Sequence, residues 1–321
     1  MQRRHFIRTT LAGALLAASA ATLAQTYPAK TVTVIIPFPP GGTLDTVGRM
    51  LAQKLGQQMG QTFIIENRPG GLGTIGGMAV KQAQPDGYTL LFAPSTHVTT
   101  PMAMKTAPYD PLKDFAPVAL VAKAPLAIAV NKNLPVTDVK SLIAHAKANP
   151  GKLSFDIGST ASAGHLSTEL LRRASGIDYL IVPYKGSAPA YQDLVGGQID
   201  GFIDPILGSQ AFAKAGQLRV IAVTSKERVP SLPDVPTVAE TVPGFEFYSW
   251  YGLWGPANLP KAVAERLNAE VNKALATDMR ERLTQQGLLL TPGSINDFVA
   301  FQKDDMARAA KIIAEGRIRA D

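Results

Sequence analysis

The chain has 321 residues, 46% apolar, 18% charged and 7% aromatic, which is enough apolar material for a sizeable core and argues against disorder. At roughly 100–200 residues per domain, the length predicts two domains. The absence of cysteine excludes disulfides, Cys-ligated zinc, iron–sulfur clusters, a thiol nucleophile and a lipoprotein anchor, while a formal charge of +7 points to an anionic partner only if it survives processing.

It survives only in part. Arg3, Arg4 and Arg8 precede the mildly apolar run Leu11–Ala24, which ends in small residues, so 1–24 reads as an export signal removed near Ala24. The paired arginines resemble a twin-arginine signal, the alternative being a general secretory one. Removing three positive charges leaves 7 − 3 = +4. That charge is spread thinly and forms no basic run, so nucleic acid is not an expected partner. No later apolar run reaches the roughly 18 residues a membrane span needs, and a periplasmic protein is expected.

The remaining chain alternates β-branched runs with helical periodicity, which predicts an α/β fold with largely parallel sheets. Thr31–Ile36 is a strand, closed by Pro37-Phe-Pro-Pro-Gly-Gly42 and followed by a helix through Val47, Met50, Leu51 and Leu55. Strands at Phe63–Ile65 and Tyr88–Phe92 enclose a glycine-rich loop and a helix through Val80. The pattern restarts at Leu126–Val130. A helix over 138–147, strand Leu153–Ile157, loop Gly158–Gly164 and helix Leu166–Ser175 follow. Then come strand Tyr179–Val182, a helix around Tyr191–Val195, strand Ile199–Ile203, helix Ser209–Ala215 and strand Val220–Thr224. A proline-rich connector, 230–236, leads to the aromatic strand Phe245–Trp254 and a helical tail, in which Ser294 and Asp297 have the spacing of a capping box. Two similar halves predict two lobes with a cleft between them, and the loops beyond Ile36, Phe92, Ile157 and Ile203 are where a ligand belongs.

Gly71-Leu-Gly-Thr-Ile-Gly76 matches a dinucleotide fingerprint, but no acid follows the next strand, so it reads as a turn opening a helix and no cofactor is expected. Thr160-Ala-Ser-Ala-Gly164 lacks the first glycine of a nucleophile elbow, which leaves a serine hydrolase using Ser162 as a remote alternative. His97, His145 and His165 have no metal-ligand spacing, and no metal is expected. What the loops do offer is anion donors. Phe38, Pro40, Gly41, Gly42 and Thr43 lead into a helix start, where backbone N–H groups and the helix dipole favour a carboxylate. Asp45 either complements that helix end or meets a ligand donor. Ser159, Thr160, Ser162, Gly164 and His165 repeat the device in the second half, and Ser95, Thr96 and His97 add donors after the third strand. Asp204, at the end of Ile199–Ile203, faces the cleft or closes a turn. Neither glycine loop carries Lys or Arg, which suits reversible capture more than catalysis, and no enzyme activity is expected.

These residues resemble the Bug-type substrate-binding receptors of tripartite tricarboxylate transporters. The likeness runs through Tyr27-Pro28, Pro37–Asp45, Glu66-Asn-Arg-Pro-Gly-Gly71, Pro85–Leu90, Asp114-Phe-Ala-Pro117, Val182-Pro-Tyr-Lys-Gly186, Gly196–Asp200, Gly216–Arg219, Leu232–Thr237 and Trp250-Tyr-Gly-Leu253. Together these motifs span nearly the whole chain after the signal.

The resemblance implies a two-lobed, type II-like periplasmic binding fold, each lobe a mostly parallel sheet flanked by helices. Lobe 1 would comprise 25–124 and 248–321, and lobe 2 would comprise 125–247. It implies capture of a di- or tricarboxylate or an acidic amino acid, with membrane transporter subunits as partners; a monomer is expected. A sensor kinase is the alternative partner. The loops Phe38–Asp45 and Gly158–His165 would hold a carboxylate, with Asp204 and Ser95–His97 reaching the rest. Leu44 departs from the small or polar residue usual there, which opens a neutral amide or aromatic ring as the alternative ligand. The last helix lacks a tryptophan common in the family.

Overall fold

The computed structural model describes residues 27–320, so the export segment 1–24 lies outside the described residues. Strand β1 (Val32–Ile36) is a nearly fully buried β-branched run. Helix α1 (Thr43–Met59) buries Leu44, Val47, Leu51 and Leu55 on one face and stops at Gly60, whose φ of 68° is the left-handed conformation that glycine adopts without strain. β2 (Phe63–Asn67), α2 (Thr74–Lys81) and β3 (Thr89–Pro94) follow, and both strands flank β1 in parallel. α3 (Thr96–Ala103) leaves β3 almost at once.

β4 (Phe115–Asn131) is a single strand of 17 residues, where the sequence suggested a restart at Leu126. At about 3.3 Å per residue it is long enough to serve both lobes. Its first part, Phe115–Pro125, pairs antiparallel with β9 (Tyr248–Pro256), and Leu126–Asn131 pairs with β7 (Gly201–Pro205) and β8 (Leu218–Val223). Partners therefore change between Pro125 and Leu126. Between β4 and β9 the chain runs through α4 (Val139–Ala148), β5 (Ser154–Ile157), α5 (Ala163–Ser175), β6 (Leu180–Pro183), α6 (Ser187–Gly196), β7, α7 (Ile206–Lys214) and β8. After β9 come α8 (Lys261–Leu275), α9 (Asp278–Gln285), the short β10 (Leu289–Leu290) and α10 (Ile295–Gly316). The strands run in the order β2-β1-β3-β9-β4-β7-β5-β6, with β8 and β10 also on β4. The fold is α/β and two-lobed. The sheet is parallel within the strand–helix–strand units and antiparallel along β4 and β9.

Each lobe has its own core. Val34, Ile36, Leu51, Phe92 and Leu267 pack together in the first, and Leu126, Leu142, Phe155, Leu166 and Ile203 in the second. Each such side chain is worth about 1.5–3 kcal/mol of burial. Trp250 and Trp254, on β9, are fully buried, and α10 supplies partners for both indole N–H groups, Asp305 at 2.7 Å and Gln302 at 3.0 Å. α10 begins on the capping box formed by Ser294 and Asp297. The resemblance assigned all of 248–321 to lobe 1, but α10 is shared. Phe298 packs with the tryptophans, whereas Ala309, Ile312 and Ile313 join the core of α5. A residue pattern on one helix cannot show which lobe receives each end.

Candidate ligand-binding site

A cavity of about 540 Å³ opens between the lobes. The first lobe contributes Phe38–Leu44, Pro94 and Thr96, with Ser249 and Tyr251 from β9. The second contributes Gly158, Ser159 and Ser162–Gly164, then Lys185–Pro189 and Gln192, then Asp204, Pro205 and Phe212. Nearly all these residues lie where a strand ends and a helix begins, so the fold delivers the starts of α1, α3, α5, α6 and α7 to one space.

Helix starts carry roughly half a positive charge each and leave their first N–H groups without intrahelical partners. In four of them (α1, α3, α6 and α7) no side chain among the described residues fills that need. Gly42 caps α1 and Gly186 caps α6, and neither end has a side-chain cap. Gly41 and Gly186, with φ of 95° and 109°, adopt backbone conformations that a side chain would strain. The start of α5 is satisfied differently, with Ser162 Oγ accepting from the His165 N–H at 3.2 Å. Ser159 Oγ is buried, lines the cavity and has no hydrogen-bond partner among the described residues. The arrangement can hold an anion by backbone amides and a hydroxyl donor, without a dedicated arginine.

Of the residues predicted from sequence, Phe38, Pro40, Gly41, Gly42, Thr43, Thr96, Ser159, Ser162, Gly164 and Asp204 are brought together on this cavity. Gly164 has a packing reason as well, since a Cβ there would collide with the Ile203 carbonyl oxygen and push α5 off β7. Asp45, Ser95, His97, Thr160 and His165 do not line it. Asp45 is turned away and accepts from Arg49 at 2.9 and 3.0 Å, Asn67 at 3.0 Å and the Gly41 N–H at 3.2 Å. Burial works against its ionisation, but those hydrogen bonds outweigh it and hold the carboxyl below the usual range. Asp45 therefore braces the loop and helix start behind the wall. Ser95 is buried, its N–H bound to the Trp250 carbonyl at 2.9 Å and its carbonyl to Thr99 Oγ1 at 3.2 Å.

His97 sits in an aromatic box of Tyr109, Phe115 and Trp254, with Nδ1 3.1 Å from the Tyr109 hydroxyl. Burial pushes its pKa down to about 3, so it stays neutral. His165 Nδ1 accepts from the Ala161 N–H at 3.1 Å and steadies a residue whose φ is 59°. Burial, with Arg172 nearby, pushes this imidazole down to about 4. Neither histidine is placed to activate Ser162, whose hydroxyl is the α5 cap. Among the described residues no cluster could hold a metal ion. Gly71–Gly76 lies off the cavity, its first residues forming a turn and Gly76 packed against Pro37.

Sequence reasoning missed the β6–α6 loop and the β9 wall. Lys185 is the one cationic side chain on the cavity wall among the described residues, and Ser187, Gln192, Phe212, Ser249 and Tyr251 were also passed over. The signal was present in Val182-Pro-Tyr-Lys-Gly186, a strand end running through glycine into a helix, as at Gly42. Leu44 does line the cavity, along with Phe38 and Phe212, and gives it an apolar waist.

Asp204 lies beneath α6 and keeps part of its surface on the cavity. Its oxygens accept from Ser187 Oγ at 3.0 Å and the Tyr191 hydroxyl at 3.2 Å. Burial pushes its pKa up to about 7, even though both hydrogen bonds favour the charged form. Asp156 stands behind it on β5, fully covered, with neither carboxyl oxygen bonded among the described residues. Burial, with Asp204 and Asp193 nearby, pushes that group up to about 9.

Known proteins agree with this architecture. Residues 47–318 match the family model described as "Tripartite tricarboxylate transporter family receptor". "Protein BugT" of Bordetella pertussis is 35% identical over 302 residues, covering 91% of each chain. Among solved structures, "R. palustris Rpa4515 with adipate" superposes with a TM-score of 0.88 at 36% identity, covering 91% of this chain and 99% of that one. "MatC (Rpa3494) from Rhodopseudomonas palustris with bound malate" gives 0.83 at 32% identity, covering 89% and 100%. No helix among the described residues is long and apolar enough to cross a membrane. The chain belongs to the tripartite tricarboxylate transporter receptor family, and it is a solute-binding receptor of the Bug type rather than an enzyme.

Proposed function

We propose that this receptor captures a small dicarboxylate in the periplasm and hands it to membrane subunits of a tripartite transporter. The observation that carries the reading is the convergence of the uncapped starts of α1 and α6 on one inter-lobe cavity, with the unpartnered Ser159 hydroxyl beside them. Gly41, Gly42, Thr43, Ser159, Ser162 and Gly164 would hold a carboxylate. The apolar waist of Phe38, Leu44 and Phe212 would cover the carbon chain between two acid ends. Related structures were solved with adipate and malate, both dicarboxylates. The same waist favours a second reading, a neutral amide or aromatic ring. The lobes are proposed to close by bending near Pro125–Leu126, where β4 changes partners. The segment 1–24 is proposed to direct export and to be cleaved near Ala24.

A thermal-shift panel of adipate, malate, citrate, glutamate and nicotinamide tests the ligand class. A ligand at about 100 times its Kd adds about 2.7 kcal/mol to stability, which is several degrees of Tm. A clear shift with adipate or malate is the expected result. A shift with nicotinamide alone would overturn the carboxylate reading in favour of the second.

A further inference from the structure

We propose that the cleft binds its dicarboxylate together with one proton, and that Asp204 carries that proton as a hydrogen-bond donor to the ligand. The inference rests on the carboxylate reading and says which form of the acid the site selects.

The geometry supports it from the lobe 2 side. β5 and β7 run parallel with Asp156 opposite Phe202, and Asp204 stands two residues further along β7. Side chains alternate along a strand, so both acids project from the face that α6 covers. Among the described residues no cation answers them there. From α6 come Tyr191, Ser187 and Asp193, the last already bonded by the Tyr184 hydroxyl. Tyr251 of β9 and Ser209 of α7 complete the surroundings. The tyrosines are held neutral by burial, which pushes them upward. Lys185 is exposed and stands in no ion pair among the described residues. Two buried carboxyl groups on one face with no counter-charge cannot both ionise cheaply.

Of the two, only Asp204 reaches the cavity. Burial has pushed its pKa up to about 7, which places its change of charge in the neutral range. A ligand carboxylate brought beside it adds another negative charge, which favours the protonated form by roughly 1–3 pH units at contact distance. One proton then passes from the buffer to the carboxyl oxygen of Asp204. The new O–H donates to the ligand, while Ser187 and Tyr191 continue to donate to Asp204. The repulsion becomes a charge-assisted hydrogen bond.

Isothermal titration of the mature protein with adipate tests this, run at pH 8 in two buffers of different ionisation enthalpy. Wild type should take up about 0.4–0.9 proton per adipate, and its affinity should fall roughly 2.5- to 8-fold per pH unit near pH 8. Asp204→Asn should bind with no proton uptake and a flat profile from pH 6.5 to 8.5. Asp156→Asn should still take up the proton, since Asp156 is already neutral in that range. Adipate binding to wild type without uptake or slope would overturn this inference alone. Uptake lost in Asp156→Asn but kept in Asp204→Asn would also overturn it, by placing the proton on the wrong carboxyl. If neither adipate nor malate binds at any pH, the carboxylate reading falls and takes this inference with it.

Discussion

Asp45 and Asp204 occupy comparable places. One stands just inside α1 in the first lobe and the other ends β7 in the second, each beside a helix start that faces the cavity. The lobes treat them in opposite ways. Asp45 is surrounded by Arg49, Asn67 and the Gly41 N–H, so it is kept charged and turned away from the cavity. Asp204 has only hydroxyl partners and the uncompensated Asp156 behind it, so it is kept near neutrality and at the wall. The residue type does not decide whether an acid braces a site or serves it. The decision lies with the cation that is or is not folded against it.

The largest effect that probes this contrast should come from Gly42→Val, which attacks the wall while sparing the brace. Gly42 has φ −82° and ψ 175°, which any residue adopts, and a Cβ there would meet nothing within 4 Å. The empty protein should melt within a degree or two of wild type. Adipate affinity, measured by titration, should drop about 5- to 150-fold, the 1–3 kcal/mol typical of forcing methyl groups into a filled site. An unfolded variant, or an unchanged Kd, would break the assignment of this loop.

The next effect is a difference of sign. The carboxyl of Asp45 is depressed in the folded state, so its contribution to stability is present above the unfolded pKa and is lost as pH falls through the lower folded value. Asp45→Asn should therefore lower Tm by about 2–6 °C at pH 7, with the deficit closing below pH 4. Asp156 is raised to about 9, so between about pH 4 and 9 the folded chain holds a proton that the unfolded chain releases, and stability falls as pH rises. Asp156→Asn should gain Tm relative to wild type between pH 4.5 and 8. Any packing cost of the amide is the same at both values, so the change with pH is the readout. Parallel melting curves for the two variants would abolish the distinction between a paired and an unpaired carboxyl group.

The smallest effect is expected from Ser159→Ala. Its hydroxyl has no partner among the described residues, so stability should hold, while loss of one hydrogen bond should weaken adipate roughly 2- to 10-fold.

The loops that build the lobe walls were readable because their composition states their geometry. A β-branched run, then proline and glycine, then helical periodicity mark a strand end facing a helix start at Phe38–Thr43, and a small, hydroxyl-rich loop between glycines does so at Gly158–Gly164. What was hidden depends on distant partners. β4 looked broken because Pro117 and Pro125 interrupt it, yet the strand absorbs Pro117 at a shift of register against β9. α3 escaped notice because Thr96–Ala103 is rich in β-branched residues and contains Pro101. The Ala161 N–H that claims His165 is only four residues away and is set by the turn of the loop at Ala161, whereas His97 looked like a cleft donor because nothing local reveals the aromatic box around it. The sharing of α10 between the lobes is hidden for the same reason.

The convergence of helix starts has a consequence for how such a receptor diversifies. A peptide N–H is the same whichever residue carries it, so on the proposed carboxylate reading the taste for an acid is written into the path of the main chain. Side chains around the waist and at Lys185 are then free to drift, changing the length or shape of acid admitted while the appetite for acid persists. Affinity and selectivity are inherited on separate parts of the molecule, and one scaffold can follow many carbon sources without being rebuilt.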